Sequence, residues 1–248
     1  MGFCRFFKPI VAAILIGSLS SISQAVTRLP MQLDHDDQNR ALEILGFGST
    51  AKTLDNPYPL GGYSGVEIGI SSEFIPVDDL STLGDGTGDD GEYSYYTVSI
   101  GKGLYYNIDV MVYATPFVQD EDISSFGGQI RWGFYEAQFF PLSLTALAYA
   151  GGANFSNLIN VTTQGFDLIG TVNVENIAIY AGYGKGRAIG NFVGGANGIT
   201  ADQQSRQIDL LEDHTMFGVN INIQKMFVAL EINRYIESTY AGKIGFRF

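Results

Sequence analysis

Apolar and polar residues alternate with a period of two along most of the chain after residue 62. Val66, Ile68 and Ile70, for example, fall on one face of the first such segment. A period of two predicts β-strands that each have one apolar face. Ten segments show this pattern: 63–74, 93–101, 108–115, 126–134, 142–150, 163–172, 177–184, 214–223, 227–235 and 240–248. The sequence therefore predicts an all-β fold, a closed antiparallel up-and-down barrel of about ten strands, with eight or twelve as alternatives.

The connections between the predicted strands alternate in length. The connections after strands one, three, five and seven are longer and polar: 75–92, 116–125, 151–162 and 185–213. Those after strands two, four, six and eight are short. Long loops at one end and tight turns at the other are typical of barrels that cross a membrane.

The direction of the apolar face needs separate evidence, because a soluble barrel or sandwich has the same alternation with its apolar face inward. Aromatic residues gather near the short-turn end, which is typical of a membrane-interface girdle. The predicted girdle contains Tyr105, Tyr106, Trp132, Phe134, Phe246 and Phe248, together with Tyr135, Phe139, Phe140 and Phe227. The polar face is rich in glycine, as a narrow lumen requires. We therefore expect lipid outside and polar groups inside.

The last strand carries a more specific signal. Gly245-Phe246-Arg247-Phe248 resembles the C-terminal signal of bacterial outer-membrane β-barrel proteins, although Lys243 stands where that family usually has a glycine. The resemblance is architectural and covers roughly residues 61–248. It implies an integral barrel in the outer membrane of a Gram-negative bacterium, in contact with outer-membrane lipid. It also implies that the barrel-assembly machinery reads Phe246 and Phe248.

The first 25 residues have the order of a secretory signal peptide. Arg5 and Lys8 precede an apolar run over 9–19, and Ser23-Gln24-Ala25 ends the segment with small residues. This order predicts cleavage after Ala25. The apolar run of about 11 residues is shorter than a spanning helix requires. The only cysteine, Cys4, would leave with the peptide.

A short segment separates the signal peptide from the barrel, which gives three predicted regions: 1–25, 26–62 and 63–248. Asp36 and Asp37 could cap a short helix that ends near Gly46 or Gly48. Its apolar positions are Ala41, Leu42, Ile44 and Leu45. We expect the segment to plug the lumen or to lie at the short-turn mouth.

Charged residues on the strands should face the lumen, because a charge in hydrocarbon costs several kcal/mol. A loop centred near residue 120 would place Asp109 opposite Arg131, and a loop centred near residue 237 would place Glu231 opposite Lys243. The predicted inward charges are Glu67, Lys243, Glu231, Asp109, Arg131, Asp167 and Arg247. We predict two clusters, one of Glu67, Lys243 and Glu231, and one of Asp109 with Arg131.

The charge balance and the acidic first loop limit the partners of the chain. With 14 Lys and Arg against 26 Asp and Glu, the formal net charge is −12, which argues against a nucleic-acid partner. The first long loop is acidic and is a weak candidate for a divalent cation through Asp85, Asp89, Asp90 and Glu92. Its order does not match an EF-hand, so a solvated loop is the default and no resident metal or cofactor is expected.

The candidate chemistry is sparse, so we expect no enzyme. His214, beside Asp213, is the single catalytic candidate, and a polar residue at a loop boundary is the simpler interpretation. We expect a narrow or plugged pore for small solutes, or a structural barrel. The alternatives are a surface adhesin acting through its long loops, and an enzyme acting on lipid or peptide.

Overall fold

The computed structural model describes residues 29–87, 92–116 and 123–248, which form a closed antiparallel barrel of ten strands. The strands are β1 (Val66–Pro76), β2 (Glu92–Gly103), β3 (Ile108–Ala114), β4 (Ile123–Glu136), β5 (Leu142–Phe155), β6 (Ile159–Val174), β7 (Ile177–Phe192), β8 (Arg206–Ile223), β9 (Met226–Arg234) and β10 (Ser238–Arg247). Each strand pairs with its neighbour in the chain, and β1 pairs with β10 to close the barrel. The predicted fold class is confirmed, and eight or twelve strands are excluded.

The apolar face of the sheet points outward. Ile70 is 60% exposed and Ile130 is 55% exposed, whereas Glu67 and Arg131 inside the barrel are at most 1% exposed. A soluble barrel would show the reverse order, because its apolar face would form the core. The predicted orientation of the alternating pattern is therefore confirmed.

Glycines on the inner face make room for large side chains of neighbouring strands. A Cβ atom at Gly218 would lie 2.1 Å from the ring of Tyr180, and one at Gly101 would lie 2.0 Å from the sulfur of Met111. Neither distance is compatible with a side chain at the glycine. Pairs of a large and a small residue thus fill the interior of a narrow barrel.

Several strand boundaries differ from the prediction at the end of the barrel where the connections 77–91, 115–122 and 193–205 lie. We call this the long-loop end, and the opposite end the short-turn end. Strands β5 to β8 run further into the long-loop end than predicted, so the connection between β5 and β6 has only residues 156–158. The pairing of β7 with β8 continues through Phe192 and Arg206. Sequence reasoning ended these strands early because their outward positions become polar there while the pairing continues.

A short helix precedes the barrel. The α-helix α1 (His35–Ala41) continues into a π-helical turn (Leu42–Gly46). Its N-cap is Asp34, and Asp37 completes a capping box at the third helical position. The prediction placed the cap at Asp36 and Asp37, two to three residues too far along the chain. In the described part of the chain no helix is both long and apolar enough to span a membrane.

A 3-10 turn (Gly62–Ser64) leads into β1, which begins at Val66 rather than at residue 63.

Candidate functional site in the barrel lumen

Residues 29–61, which we call the lumen segment, cross the interior of the barrel from the long-loop end to the short-turn end. At the long-loop end, the backbone N–H of Leu33 donates to the carbonyl of Ile199 over 2.9 Å. At the short-turn end, the backbone N–H of Leu60 donates to the carboxylate of Asp109 over 3.1 Å. The segment therefore passes through the lumen once.

An ionic cluster ties the lumen segment to the loops at the long-loop end. The guanidinium of Arg40 on α1 binds Glu43 of the same helix, Asp79 of the connection after β1, and Glu237 between β9 and β10. Burial opposes the positive charge of Arg40, but the three carboxylates outweigh it and raise the pKa of this guanidinium. One side chain thus joins the helix to two separate connections.

An apolar layer lies below this cluster. Leu42, Ile44 and Leu45 of the lumen segment are at most 1% exposed. They belong to a core cluster with inward residues of the barrel, including Ile75, Tyr95, Phe155, Ile159 and Phe192. Burying each of these side chains contributes about 1.5–3 kcal/mol. The long-loop half of the lumen is therefore a packed hydrophobic core.

Glu231 anchors the middle of the lumen segment. Its carboxylate accepts hydrogen bonds from the backbone N–H groups of Thr53 at 3.0 Å and Leu54 at 2.8 Å. Tyr180 donates to it over 2.6 Å, and the side-chain amide of Asn233 over 2.8 Å. Leu54 has a left-handed backbone with φ of 48°, a conformation that costs about 1–3 kcal/mol without glycine and persists here because both N–H groups bind one carboxylate.

The predicted pairing of Glu231 with Lys243 is wrong. Glu231 stands opposite Ala241, two residues from the predicted partner. The prediction placed the centre of the connection between β9 and β10 one residue too far along the chain. Because a shift of two residues keeps the same face, both side chains still point inward.

Arg131 forms its ion pair with the lumen segment. Its guanidinium binds the carboxylate of Asp55 and also donates to the carbonyl of Thr53 over 3.2 Å. Asp109 does stand opposite Arg131 across β3 and β4. The carboxylate of Asp109, however, accepts the N–H of Leu60, so each of the two predicted partners binds the lumen segment.

Glu67 binds two cations near the short-turn end. Lys243 donates to it over 2.8 Å and Arg247 over 2.8 and 3.0 Å. Lys243 pairs in register with Ser71, and its side chain reaches Glu67 by passing over Gly69, where a Cβ atom would lie 2.4 Å from the lysine Cε. Arg247 also donates to the carbonyl of Asn56 over 3.1 Å, which links this cluster to the lumen segment.

Lys52 and Glu73 form a further contact that sequence reasoning missed. The ammonium of Lys52 lies 3.6 Å from the carboxylate of Glu73 and donates to the carbonyls of Gly48 and Thr50. Glu73 also accepts from Tyr95 over 2.8 Å. The alternation along β1 places Glu73 on the inward face, so its position in the lumen was predictable. Lys52 and Asp55 lie in a segment without periodic alternation, so their positions were not.

The lumen segment leaves little free space. One cavity of about 20 Å³ lies beside Lys52 and Glu73, which is enough for about one water molecule. A second cavity, of about 60 Å³, lies at the short-turn mouth beside Tyr58 and Glu136. Burial and a hydrogen bond to Glu136 raise the pKa of Tyr58 at this mouth. Neither cavity is wide enough for solute passage.

The sequence suggested a loop boundary for His214, but the residue lies deep in the lumen. Its Nδ1 is 2.7 Å from Asp167, its Nε2 is 3.0 Å from the side-chain oxygen of Asn233, and its ring stacks on Tyr235 at 4.2 Å. Because protein groups occupy both ring nitrogens, this geometry supports a structural role. Asp213 points to the opposite face and pairs with Lys185.

Of the predicted cation loop, the structure describes the side chain of Asp85. The carboxylate of Asp85 accepts the N–H of Met31 over 2.8 Å. Asp89 and Asp90 lie outside the described residues, as does the side chain of Glu92. Among the residues that the structure describes, no group of three acidic, histidine or cysteine side chains could hold a metal ion.

Two rings of aromatic side chains surround the barrel. At the short-turn end the exposed members include Tyr105, Tyr106, Trp132, Phe134, Phe246 and Phe248. Phe227 does not belong to this ring, because it points inward, is 1% exposed and covers Gly245. The second ring lies at the long-loop end and contains Phe126, Phe166, Tyr183, Phe217 and Tyr240. Sequence reasoning missed it, although the alternation along each strand places these residues on the outward face.

Comparisons with known proteins yield weak structural similarities only. No family model and no curated protein matches the chain. The solved structures similar to it include Ail of Yersinia pestis, with 16% identity and a TM-score of 0.30 over 74% of this chain and 97% of that one. They also include the N-terminal β-barrel domain of Pseudomonas aeruginosa OprF, with 11% identity and a TM-score of 0.35 over 75% and 99% of the two chains. The translocator domain of NalP from Neisseria meningitidis has 13% identity and a TM-score of 0.38 over 86% and 95%. Such values carry no information on function.

We predict that Asp55→Ala destabilises the folded barrel by roughly 3–5 kcal/mol, because it leaves Arg131 buried without its carboxylate. The double variant Asp55→Ala with Arg131→Met should recover a large part of this loss. Urea unfolding in detergent, followed by the fluorescence of the single tryptophan Trp132, measures both. The matched control is Asp213→Ala, which breaks the exposed pair with Lys185 and should leave the midpoint unchanged. Equal effects of Asp55→Ala and Asp213→Ala would refute the role of the buried pair.

Proposed function

We propose that the protein is an integral barrel of the outer membrane of a Gram-negative bacterium, closed at rest by its own lumen segment. The observation that carries the proposal is the apolar band around the outside of a barrel whose interior is charged. In water this arrangement would expose dozens of apolar side chains and bury ions. In a lipid bilayer it is the favoured one, because strands cross with apolar residues outward and polar residues inward.

The dimensions of the apolar band support this proposal. On β1 the outward residues from Val66 to Phe74 span roughly 20 Å across the membrane, at a rise of about 3.3 Å per residue and a tilt of about 40°. Aromatic rings lie at both edges of the band. Beyond the ring at the long-loop end, β7 and β8 carry outward ion pairs, such as Lys185 with Asp213 and Arg187 with Asp209. Such exposed charges are stable in water and mark the edge of the hydrocarbon.

The orientation follows from the connections. Barrels of this class have short periplasmic turns and longer outer loops. The short-turn end, where β1 begins and β10 ends, therefore faces the periplasm. The predicted leader with cleavage after Ala25 and the predicted recognition of Phe246 and Phe248 by the assembly machinery agree with this route to the outer membrane.

The lumen segment favours a closed structural barrel over an open channel. Solute passage would require the segment to leave the lumen, which would break its contacts with Glu231, Arg131 and Asp109 together. A pore for small solutes is thus limited to a state in which the segment has moved.

An adhesive role is the second candidate. It is favoured by the β7 and β8 hairpin, which extends past the aromatic ring and carries the connection 193–205.

We predict that Ile70→Arg, in the middle of the apolar band, destabilises the protein folded in lipid vesicles by about 2–4 kcal/mol, because the charge faces hydrocarbon. The matched control is Asn176→Arg in the turn between β6 and β7, where the side chain is exposed and should remain hydrated. Urea titration in phosphatidylcholine vesicles measures both variants. A stable, monodisperse wild-type protein in buffer without detergent would contradict the membrane location.

We also predict that the wild-type protein shows no sustained single-channel conductance in planar bilayers. A variant that weakens two anchors of the lumen segment, Asp55→Ala with Glu231→Ala, should show transient openings. Sustained wild-type currents at neutral pH, with the same unit conductance in the variant, would contradict a closed lumen.

A further inference from the structure

The direction of the lumen segment determines where the chain that precedes it emerges. Residues 29–33 pack among the loops of the long-loop end and not at the mouth where β1 begins. The backbone N–H of Met31 donates to the carboxylate of Asp85, and the backbone N–H of Asp85 donates to the carbonyl of Met31 over 2.9 Å. Leu33 forms a short parallel bridge with Thr200 in the connection between β7 and β8. The start of the segment is thus held by two of the long connections.

The contacts of the segment then move steadily toward the other end. Arg40 contacts Asp79 and Glu237 beside the long-loop mouth. The later anchors lie nearer the other end: Lys52 at Glu73, Leu54 at Glu231, Asp55 at Arg131, Asn56 at Arg247 and Leu60 at Asp109. The contacts of the segment thus run from the long-loop end at Leu33 to the short-turn end at Leu60.

We propose that the barrel displays the N-terminal end of its mature chain on the outer surface of the cell, with the lumen segment as the tether. A peptide joined to that end would be presented outside. This inference rests on the proposed function for two points, which are that the long-loop end faces outward and that the leader is cleaved after Ala25. It adds a display role that neither a closed barrel nor an adhesive hairpin requires.

The packing of the lumen excludes a return of the chain to the periplasm. A second extended polypeptide needs a channel several ångströms wide over the full height of the barrel. The cavity beside Lys52 and Glu73 has a volume of about 20 Å³, and apolar side chains of the segment and the strands pack together in the long-loop half. A return outside the barrel would place polar backbone in hydrocarbon, where each unpaired group costs several kcal/mol. Under the proposal, the chain before residue 29 therefore stays on the side where residue 29 lies.

The same contacts constrain assembly. The lumen segment binds inward residues on β1, β4, β9 and β10: Glu73, Arg131, Glu231 and Arg247. These strands surround it on several sides, and β1 pairs with β10 at the seam. Closing the seam thus encloses the lumen segment, with residue 29 at the long-loop end.

Cysteine labelling on whole cells tests the proposal. The only native cysteine, Cys4, lies in the predicted leader, so single-cysteine variants are available without further changes. The test variant is Thr27→Cys. The matched controls are Asn197→Cys in a long connection and Glu175→Cys in the turn between β6 and β7, both at exposed positions. Each variant is treated with a membrane-impermeant maleimide before and after permeabilisation of the outer membrane, and folding is checked by heat-modifiable migration.

We expect Thr27→Cys to react on intact cells to the same extent as Asn197→Cys, and Glu175→Cys to react at least tenfold more after permeabilisation. If Asn197→Cys reacts on intact cells while Thr27→Cys reacts only after permeabilisation, the display proposal is overturned and the proposed barrel stands. If Glu175→Cys reacts on intact cells and Asn197→Cys does not, the orientation is reversed and both proposals fail.

A short epitope inserted after Ala25 measures display of an attached peptide directly. Antibody binding to intact cells supports the proposal. A folded protein whose epitope binds antibody only in permeabilised cells overturns it.

Discussion

Every charge buried inside this barrel requires a partner, and that requirement organises the rest of the structure. Glu67, Glu231, Asp109 and Arg131 are all at most 2% exposed. Moving an unpaired ion out of water costs several kcal/mol, and the cost is offset only by good geometry and hydrogen bonds. For three of these four residues the lumen segment supplies a direct partner: backbone N–H groups for Glu231 and Asp109, and Asp55 for Arg131. The polar interior and the closed lumen are therefore one feature of the molecule.

The same requirement explains the shape of the segment. Leu42, Ile44 and Leu45 of its first half fill the long-loop half of the lumen as a core, which holds α1 in place. Its second half is extended, so its backbone groups are available to inward carboxylates. Leu54 accepts a left-handed backbone there because Glu231 binds two successive N–H groups. Glycines such as Gly69 and Gly218 give long side chains of adjacent strands the room to reach their positions.

Much of the barrel could be predicted from its sequence because a period of two is a local signal. It gave ten strands, their pairing order, the outward apolar face and the inward position of Glu67, Asp109, Arg131 and Glu231. It could not locate the ends of β5 to β8, because the outward face becomes polar there without a break in pairing. Of the partners of the inward charges, the predicted contact between Glu67 and Lys243 is present, but those of Glu231 and Arg131 were out of reach. Lys52 and Asp55 lie in an aperiodic segment, and a register error of two residues sufficed to misassign Glu231.

Hydrogen exchange at the backbone amides of Thr53 and Leu54, in the protein reconstituted in lipid, tests the central claim most directly. If the lumen segment is bound to Glu231 inside a closed barrel, both amides exchange as slowly as those of the paired strands, and Glu231→Ala accelerates them selectively. If both amides of the wild-type protein exchange at the rate of an exposed loop, the segment does not close the barrel.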